Sequence, residues 1–376
     1  MEKVRYITKL KNIPELTEKE RETLTDVADK FAFRTNNYYQ KLINWDDPND
    51  PIRRLIVPSH EELVSWGRLD ASDEDKYTKV PGLQHKYQFI AVLLVNDVCG
   101  AYCRFCFRKR LFMDISDEVV RDVTQGVEYI RNNPSINNVL LTGGDPLVMS
   151  TRKLGNIIKQ LREIDHVKII RIGSKMPAFN PYRIINDPDL LEMLGKYSQN
   201  DRRIYLMTHF NHPREITDVA CEAVSLLQKS GVILTNQTPL LKGINDDPEV
   251  LGELMDKLSY IGVPPYYIFQ CRPTLGNKMF SIPIEKSFEI FEHARMLTSG
   301  LGKRARLVMS HATGKIEILG KTDEHVFFRY HRAAEPQQKA RFMVFKRNPN
   351  AYWYDDYDEI ISEYSFNYPF RTSGPE

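Results

Sequence analysis

The stretch Cys99-Gly100-Ala101-Tyr102-Cys103-Arg104-Phe105-Cys106 brings three thiols together at spacings of four and three residues, between the apolar run 89–95 and the basic run Arg108-Lys109-Arg110. Thiolates so spaced can converge on one metal centre, but three of them leave one iron of a four-iron cluster without a protein ligand. A small molecule can bind at that open iron. A zinc knuckle would ask for a fourth Cys or His at short spacing, and the next histidine, His166, lies sixty residues on. An odd group of thiols, in a chain of five cysteines without an apolar secretory region, also makes a poor disulfide framework.

The elements that must position these thiols follow a rhythm. Apolar, β-rich runs at 89–95, 138–141, 167–172, 204–207, 232–234 and 266–269 alternate with amphipathic helical patterns at 117–131, 151–163, 187–197, 214–229, 247–260 and 284–298. Six such repeats predict parallel strands in a barrel or a doubly wound sheet. The polar and Gly-rich segments fall at the strand ends, which in a barrel share one mouth. No GxGxxG follows the first strand, as a Rossmann sheet would require.

Before the repeats, Thr17-Glu18-Lys19-Glu20 reads as a capping box opening a helix with Leu24, Val27 and Phe31 on one side. Residues 46–51, with two prolines among short polar residues, read as a loop. A short helix is expected from Ser59, with Glu61 and Glu62 in its first turn. After Lys321 the pattern degrades, and the aromatic, acidic stretch 352–357 is expected to pack on the repeats as a tail. The expected division is therefore a helical segment over 1–80, a barrel over 81–320 and an extension over 321–376.

The length allows a large core. Lys plus Arg number 52 against 50 for Asp plus Glu, so the field of the whole molecule argues against nucleic acid or anionic lipid as a partner. No stretch reaches bilayer-spanning length, and a cytoplasmic location is expected because an oxidising compartment would tend to pair the clustered thiols.

CxxxCxxC resembles the signature of the radical S-adenosylmethionine (SAM) enzymes, in which the open iron of a [4Fe–4S] cluster chelates SAM and one electron releases a 5′-deoxyadenosyl radical. The ordered segments Pro81-Gly82-Leu83-Gln84-His85-Lys86-Tyr87, Gly143-Gly144-Asp145, Arg171-Ile172-Gly173-Ser174, Thr208-His209-Phe210-Asn211-His212-Pro213, Asn236-Gln237 and Tyr266-Tyr267-Ile268-Phe269-Gln270-Cys271 resemble the lysine 2,3-aminomutase family within that class, over residues 15–320. The resemblance implies an α/β fold, a partial (β/α)6 TIM-type barrel, and a 1,2-shift of an amino group on a substrate held as an imine of pyridoxal 5′-phosphate (PLP). It also implies an external one-electron donor such as flavodoxin or ferredoxin and a small-molecule amino-acid substrate, and a homo-oligomer is compatible with it.

Residue by residue, the resemblance implies Cys99, Cys103 and Cys106 as cluster ligands. Gly143, Gly144 and Asp145 would lie along SAM, with Arg171, Ser174 and Gln237 as further cofactor-binding positions. Arg108 would pair with a substrate carboxylate, a task suited to a planar bidentate donor. Tyr87 and His209 would stand at the PLP site and Lys315 would link PLP, although by sequence alone a lysine after Gly314 equally suits an exposed turn. The chain also departs from the family: a PLP-contacting arginine corresponds to Ile90, a tyrosine to Phe269, and an aspartate gripping the distal ammonium of lysine to Arg272. Arg272 is thus expected to face the mouth and select an anionic or hydrogen-bonding distal group rather than free lysine. Ile90 and Phe269 keep a second reading open, a PLP-independent radical SAM enzyme modifying a peptide, protein or nucleoside.

Overall fold

A computed structural model describes residues 3–113 and 118–366. Strands β1 (Tyr6–Ile7) and β2 (Thr35–Asn36) form a small antiparallel ladder. The remaining strands make one mixed sheet in chain order: β3 (Thr78–Val80), β4 (Leu83–Tyr87), β5 (Ile90–Asn96), β6 (Asn138–Gly143), β7 (Ile169–Ser174), β8 (Ile204–Thr208), β9 (Ile233–Leu240), β10 (Pro265–Gln270), β11 (Arg306–His311), β12 (Gly314–Lys321), β13 (His325–Ala333), β14 (Phe342–Lys346) and β15 (Ile360–Tyr364). Strands β5 to β11 are parallel, and antiparallel hairpins extend both ends.

Strand alternation sorts the parallel run into two faces. Ala91, Leu93, Val139, Leu141, Ile170, Ile172, Ile204 and Leu206 are buried against the crossover helices, among them Thr151–Arg162 and Asp218–Lys229. Their neighbours Val92, Leu140, Arg171, Tyr205, Gln237 and Phe269 keep partial exposure, so the other face lines an open interior. The sheet is also strongly curved. Lys86 Nζ in β4 donates to the carbonyl of His311 in β11 at 2.5 Å, whereas seven strand spacings in a flat sheet would separate them by roughly 34 Å.

Several expectations need correcting. The parallel run has a seventh strand, β11, so β10 is not the last. Pro51 opens a helix, Pro51–Ile56, capped by Asp50, because the first helical turn needs no N–H from that residue. The expected helix over 117–131 is observed as Thr124–Arg131, and Asp117, where it was expected to begin, lies outside the described residues. The capping box at Thr17 is present, but the helix it opens is two short ones, Glu18–Thr23 and Thr25–Lys30, with Leu24, Val27 and Phe31 all buried. Ser59 caps a 3-10 turn, His60–Leu63, rather than an α-helix. Beyond Lys321 the chain continues the sheet, and the tail residues Trp353 and Tyr357 are buried in a cluster with Phe328 and Phe345. Among the described residues no helix is long and apolar enough to cross a membrane.

Candidate active site

The cysteine loop leaves the C-terminal end of β5 and is held from below by the N-terminal segment. Arg104, between the second and third thiols, is buried and grips buried Glu62 through Nε and Nη2 at 2.8–3.1 Å, while Nη1 donates to Ala32 O at 3.0 Å. Lys109 Nζ donates to Arg104 O at 2.9 Å. The backbone N–H groups of Tyr102 and Arg104 donate to Arg34 O and Leu55 O, each at 2.9 Å. This framework orients the loop with little freedom left in it.

Among the described residues no three His, Cys, Asp or Glu side chains are gathered as ligands of one ion. The thiols nevertheless sense one another. Burial pushes Cys103 up to about 12 and raises Cys106, and Cys99 is raised by burial and then by Asp145, Cys106 and Cys103.

Beside the loop, Gly143 has φ +111°, and a Cβ on Gly144 would stand 2.6 Å from Val98 O. The two glycines let β6 close onto the chain leading to Cys99, where Asp145 N donates to Val98 O at 2.9 Å. Asp145 then ties β6 to β7: its carboxylate accepts from Ser174 Oγ at 3.0 Å and from Lys175 N at 2.7 Å. Burial raises this carboxyl to about 6.

Lys175 is itself enclosed, its Nζ donating at 2.6 Å to His209 O, Asn211 Oδ1 and Glu215 Oε1. The half-buried His209 ring stacks on Phe105, with centroids 5.8 Å apart and planes 13° apart. Burial and then Lys175 lower its imidazole to about 3, so it is neutral at physiological pH. His209 therefore belongs to the cysteine end of the interior.

A second group lies on the far strands. Lys315 projects from β12 with Nζ over the rings of Tyr267 and Phe269, 4.7 and 4.6 Å from their centroids. It is half-buried on a strand rather than exposed in a turn. Burial, then Arg332, Arg272, Arg171 and Lys86, hold its ammonium well below the usual lysine range, which favours a free amine able to act as a nucleophile. Gly314 permits this register, since a Cβ there would meet Arg332 O at 2.3 Å. Arg171 reaches the same region, Nε donating to Asn138 Oδ1 at 2.7 Å, and burial and then Arg332 lower it to about 10. Arg332 Nη2 donates to Tyr266 Oη at 3.4 Å. Tyr87, raised to about 12 by burial, lies in the fields of Arg332 and Arg272. Gln237 is half-buried on β9 with no side-chain hydrogen bond among the described residues.

Between the two groups stand Arg108 and Arg272. Arg108 is engaged by Glu74, with Nε at 3.0 and 3.1 Å and Nη2 at 2.6 Å from its oxygens, and Nη1 donates to Thr142 Oγ1 at 3.2 Å. Burial would raise the Glu74 carboxyl, but Arg108 and Arg110 override it and hold it at about 2. Arg272 lies over the Phe107 ring at 4.0 Å and donates to Ser72 Oγ. Arg104, Lys175, Glu74 and Arg332 are given no site role by the sequence, and Glu62 is read there only as a first-turn acid. Arg104 and Lys175 carried a local signal, their places inside the cysteine motif and in the polar segment 171–175.

The Radical SAM superfamily profile matches residues 93–255, the span holding the cysteine loop and its supporting strand ends, and the chain is an enzyme of that class. A protein of Aquifex aeolicus named "Putative L-lysine 2,3-aminomutase" is 63% identical over 363 residues, covering 96% of this chain and 97% of its own length. The L-lysine 2,3-aminomutase of Clostridium subterminale is 41% identical over 301 residues, covering 79% of this chain and 71% of its own length. The glutamate 2,3-aminomutase of Clostridioides difficile is 38% identical over 295 residues, covering 78% and 68%. The chain belongs to the lysine 2,3-aminomutase family of radical SAM enzymes, a class that implies a [4Fe–4S] cluster and SAM.

Proposed function

We propose that the enzyme is a PLP-dependent 2,3-aminomutase acting on an amino acid other than free lysine, one with an anionic or hydrogen-bonding distal group. Cys99, Cys103 and Cys106 hold the cluster, and the strand ends carrying Gly143, Gly144, Asp145 and Ser174 line the SAM site. The curved parallel run serves as a partial (β/α)6 barrel over residues 81–320, flanked by the helical segment 1–80 and the extension 321–376. When bound, cluster and SAM supply a 5′-deoxyadenosyl radical and PLP supplies a ring that delocalises the substrate radical.

The observation that carries the PLP reading is the company of Lys315. Arg332 stands opposite it across the β12–β13 ladder, and Arg332, Arg272, Arg171 and Lys86 are the charges that act most on its amine. Glu74 offsets Arg272 and Lys86, which leaves Arg171 and Arg332 as the cations without a paired carboxylate among the described residues. Desolvated cations without a counter-charge are costly, and a phosphate-bearing cofactor at Lys315 would satisfy them. Arg171 and Arg332 thus offer the anion contacts that Ile90 cannot. Tyr87 and Gln237 pack beside the cofactor, and His209, neutral and stacked on Phe105, shields the cluster end from water.

Arg108 orients the substrate carboxylate, and Arg272 disfavours a distal ammonium. The relatives named for lysine and for glutamate span both substrate types. The test is anaerobic turnover of protein reconstituted with iron, sulfide, SAM, PLP and a one-electron donor, offered L-glutamate and L-lysine separately. The expected result is 5′-deoxyadenosine formation and a β-amino acid product with L-glutamate in preference to L-lysine. Efficient lysine turnover rejects the substrate reading. Activity undiminished without PLP rejects the cofactor reading and favours the PLP-independent alternative.

A further inference from the structure

The segment from Gly67 to Tyr77 straps the candidate site between two fixed points. Its start is bonded to the chain that carries Arg272: Arg68 pairs with Thr274, Arg68 N donates to Pro273 O at 3.3 Å, and a Cβ on Gly67 would stand 2.1 Å from Pro273 O. Its end reaches the β11–β12 turn, where Tyr77 Oη donates to Ala312 O at 2.8 Å. Between them Asp70 accepts from the backbone N–H groups of Ser72, Glu74 and Asp75 at 3.1–3.4 Å, which shapes the turn that delivers Glu74 inward.

Glu74 sits where an incoming carboxylate would have to bind. It fills the Nε/Nη2 fork of Arg108, the planar face best suited to bidentate carboxylate recognition. It is also held by a second arginine, Arg110 Nη2 lying 2.7 Å from Oε2. Arg110 is anchored separately by Glu118 at 2.7 and 2.8 Å. Its Nη1 is buried without a hydrogen-bond partner among the described residues, and Asp70 Oδ1 approaches it only to 3.7 Å. Glu74 therefore has two places to go: shared between Arg108 and Arg110, as observed, or wholly on Arg110 through both terminal nitrogens. The second arrangement would leave the carboxylate paired, satisfy the orphaned Nη1 and free the Arg108 fork.

We infer that Glu74 is a carboxylate switch, occupying Arg108 in the empty site and moving fully onto Arg110 when the substrate's own carboxylate takes its place. This rests on the reading of Arg108 as the substrate-carboxylate arginine. Because only the displaced state binds substrate, its population scales the apparent affinity. Glu74 sets a threshold that only a well-placed carboxylate crosses.

The experiment reads KM and kcat for amino-acid-dependent 5′-deoxyadenosine formation, with L-glutamate and L-lysine as probes and cluster iron content as the check on folding. Glu74→Gln should lower KM on the order of tenfold while leaving kcat nearly unchanged, the competent state no longer having to displace a charged rival. Arg110→Gln should raise KM, since the displaced carboxylate loses its second seat. In the double variant the effect of the Arg110 change should vanish. A merely structural Glu74 would raise KM in both single variants, and that overturns the inference. Should Glu74→Gln assemble no cluster, Glu74→Asp takes its place: too short to span both arginines, it should also lower KM, and a raised KM rejects the switch. Arg108→Gln separates the two readings: an unchanged KM there removes Arg108 from substrate binding and the switch with it. No amino-acid-dependent product from the wild type overturns both.

Discussion

Lys315 stands directly opposite Arg332 across the antiparallel ladder of β12 and β13. Like charges in that relationship destabilise a sheet, and here the pair faces a desolvated interior that also holds Arg171. The opposition is relieved if Lys315 is neutral and an anion lies on the arginines. An anion bound there would therefore also stabilise the sheet.

The cysteine loop depends on a buried ion pair. Glu62→Gln leaves the Arg104 guanidinium without its counter-charge, and breaking such a pair costs about 3–5 kcal/mol. The expected outcome is a lower melting temperature together with incomplete cluster assembly, measured as iron per chain. Full iron loading and an unchanged melting temperature would show that the loop is held otherwise.

The cysteines divide into two sets. Cys99, Cys103 and Cys106 share the loop, whereas Cys221 lies in the helix Asp218–Lys229 and Cys271 is buried beyond β10. Alanine at any of the first three should abolish SAM cleavage. Alanine at Cys221 or Cys271 should leave iron content unchanged, and four irons bound normally in the triple variant would contradict the cluster assignment.

Lys86 gives the fold a pH signature. Burial, then Arg272, lowers its ammonium to about 7, against about 10.4 in an unfolded chain. The folded state therefore binds fewer protons than the unfolded state between these limits, so stability should rise with pH across that window and level off above it. Lys86→Met should flatten the rise seen in melting temperature. An unchanged slope in the variant would mean that Lys86 does not titrate as its burial requires.

Arg272 should govern the distal group of the substrate. Arg272→Ala is expected to weaken L-glutamate turnover and to relieve exclusion of L-lysine, because like-charge juxtaposition in a partly desolvated site costs several kcal/mol. The ratio of kcat/KM for the two amino acids measures this directly. An unchanged ratio would return Arg272 to its structural contacts with Phe107 and Ser72.

Much of this architecture was legible from local pattern. Apolar runs such as 138–141 and 204–207 sit inside observed strands, and the cysteine loop, Gly143-Gly144-Asp145, 208–213 and 270–273 fall at strand ends as expected, because alternation and turn chemistry are local properties. Asn236-Gln237-Thr238, expected at a strand end, lies within β9, and 171–174 within β7. Strand β11, six residues long like β6 and β7, is missing from the sequence reading, as is the antiparallel extension β12 to β15, whose alternation around Phe327 and Phe328 reads as degraded pattern. What no window could reveal was charge pairing at long range. Glu74 and Arg108 are separated by 34 residues, and Arg332 meets Arg171 only because the sheet curves. Arg108 was accordingly expected to await a substrate, and the structure places a carboxylate of the chain itself upon it.

The central claim, that Lys315 carries the cofactor, is tested most directly by incubating the cluster-loaded enzyme with PLP, reducing it with borohydride and mapping the modified peptide by mass spectrometry. A single pyridoxyl group on Lys315 is expected, lost in Lys315→Ala without loss of iron. A chain that takes up no PLP, or one labelled at another lysine, would contradict it.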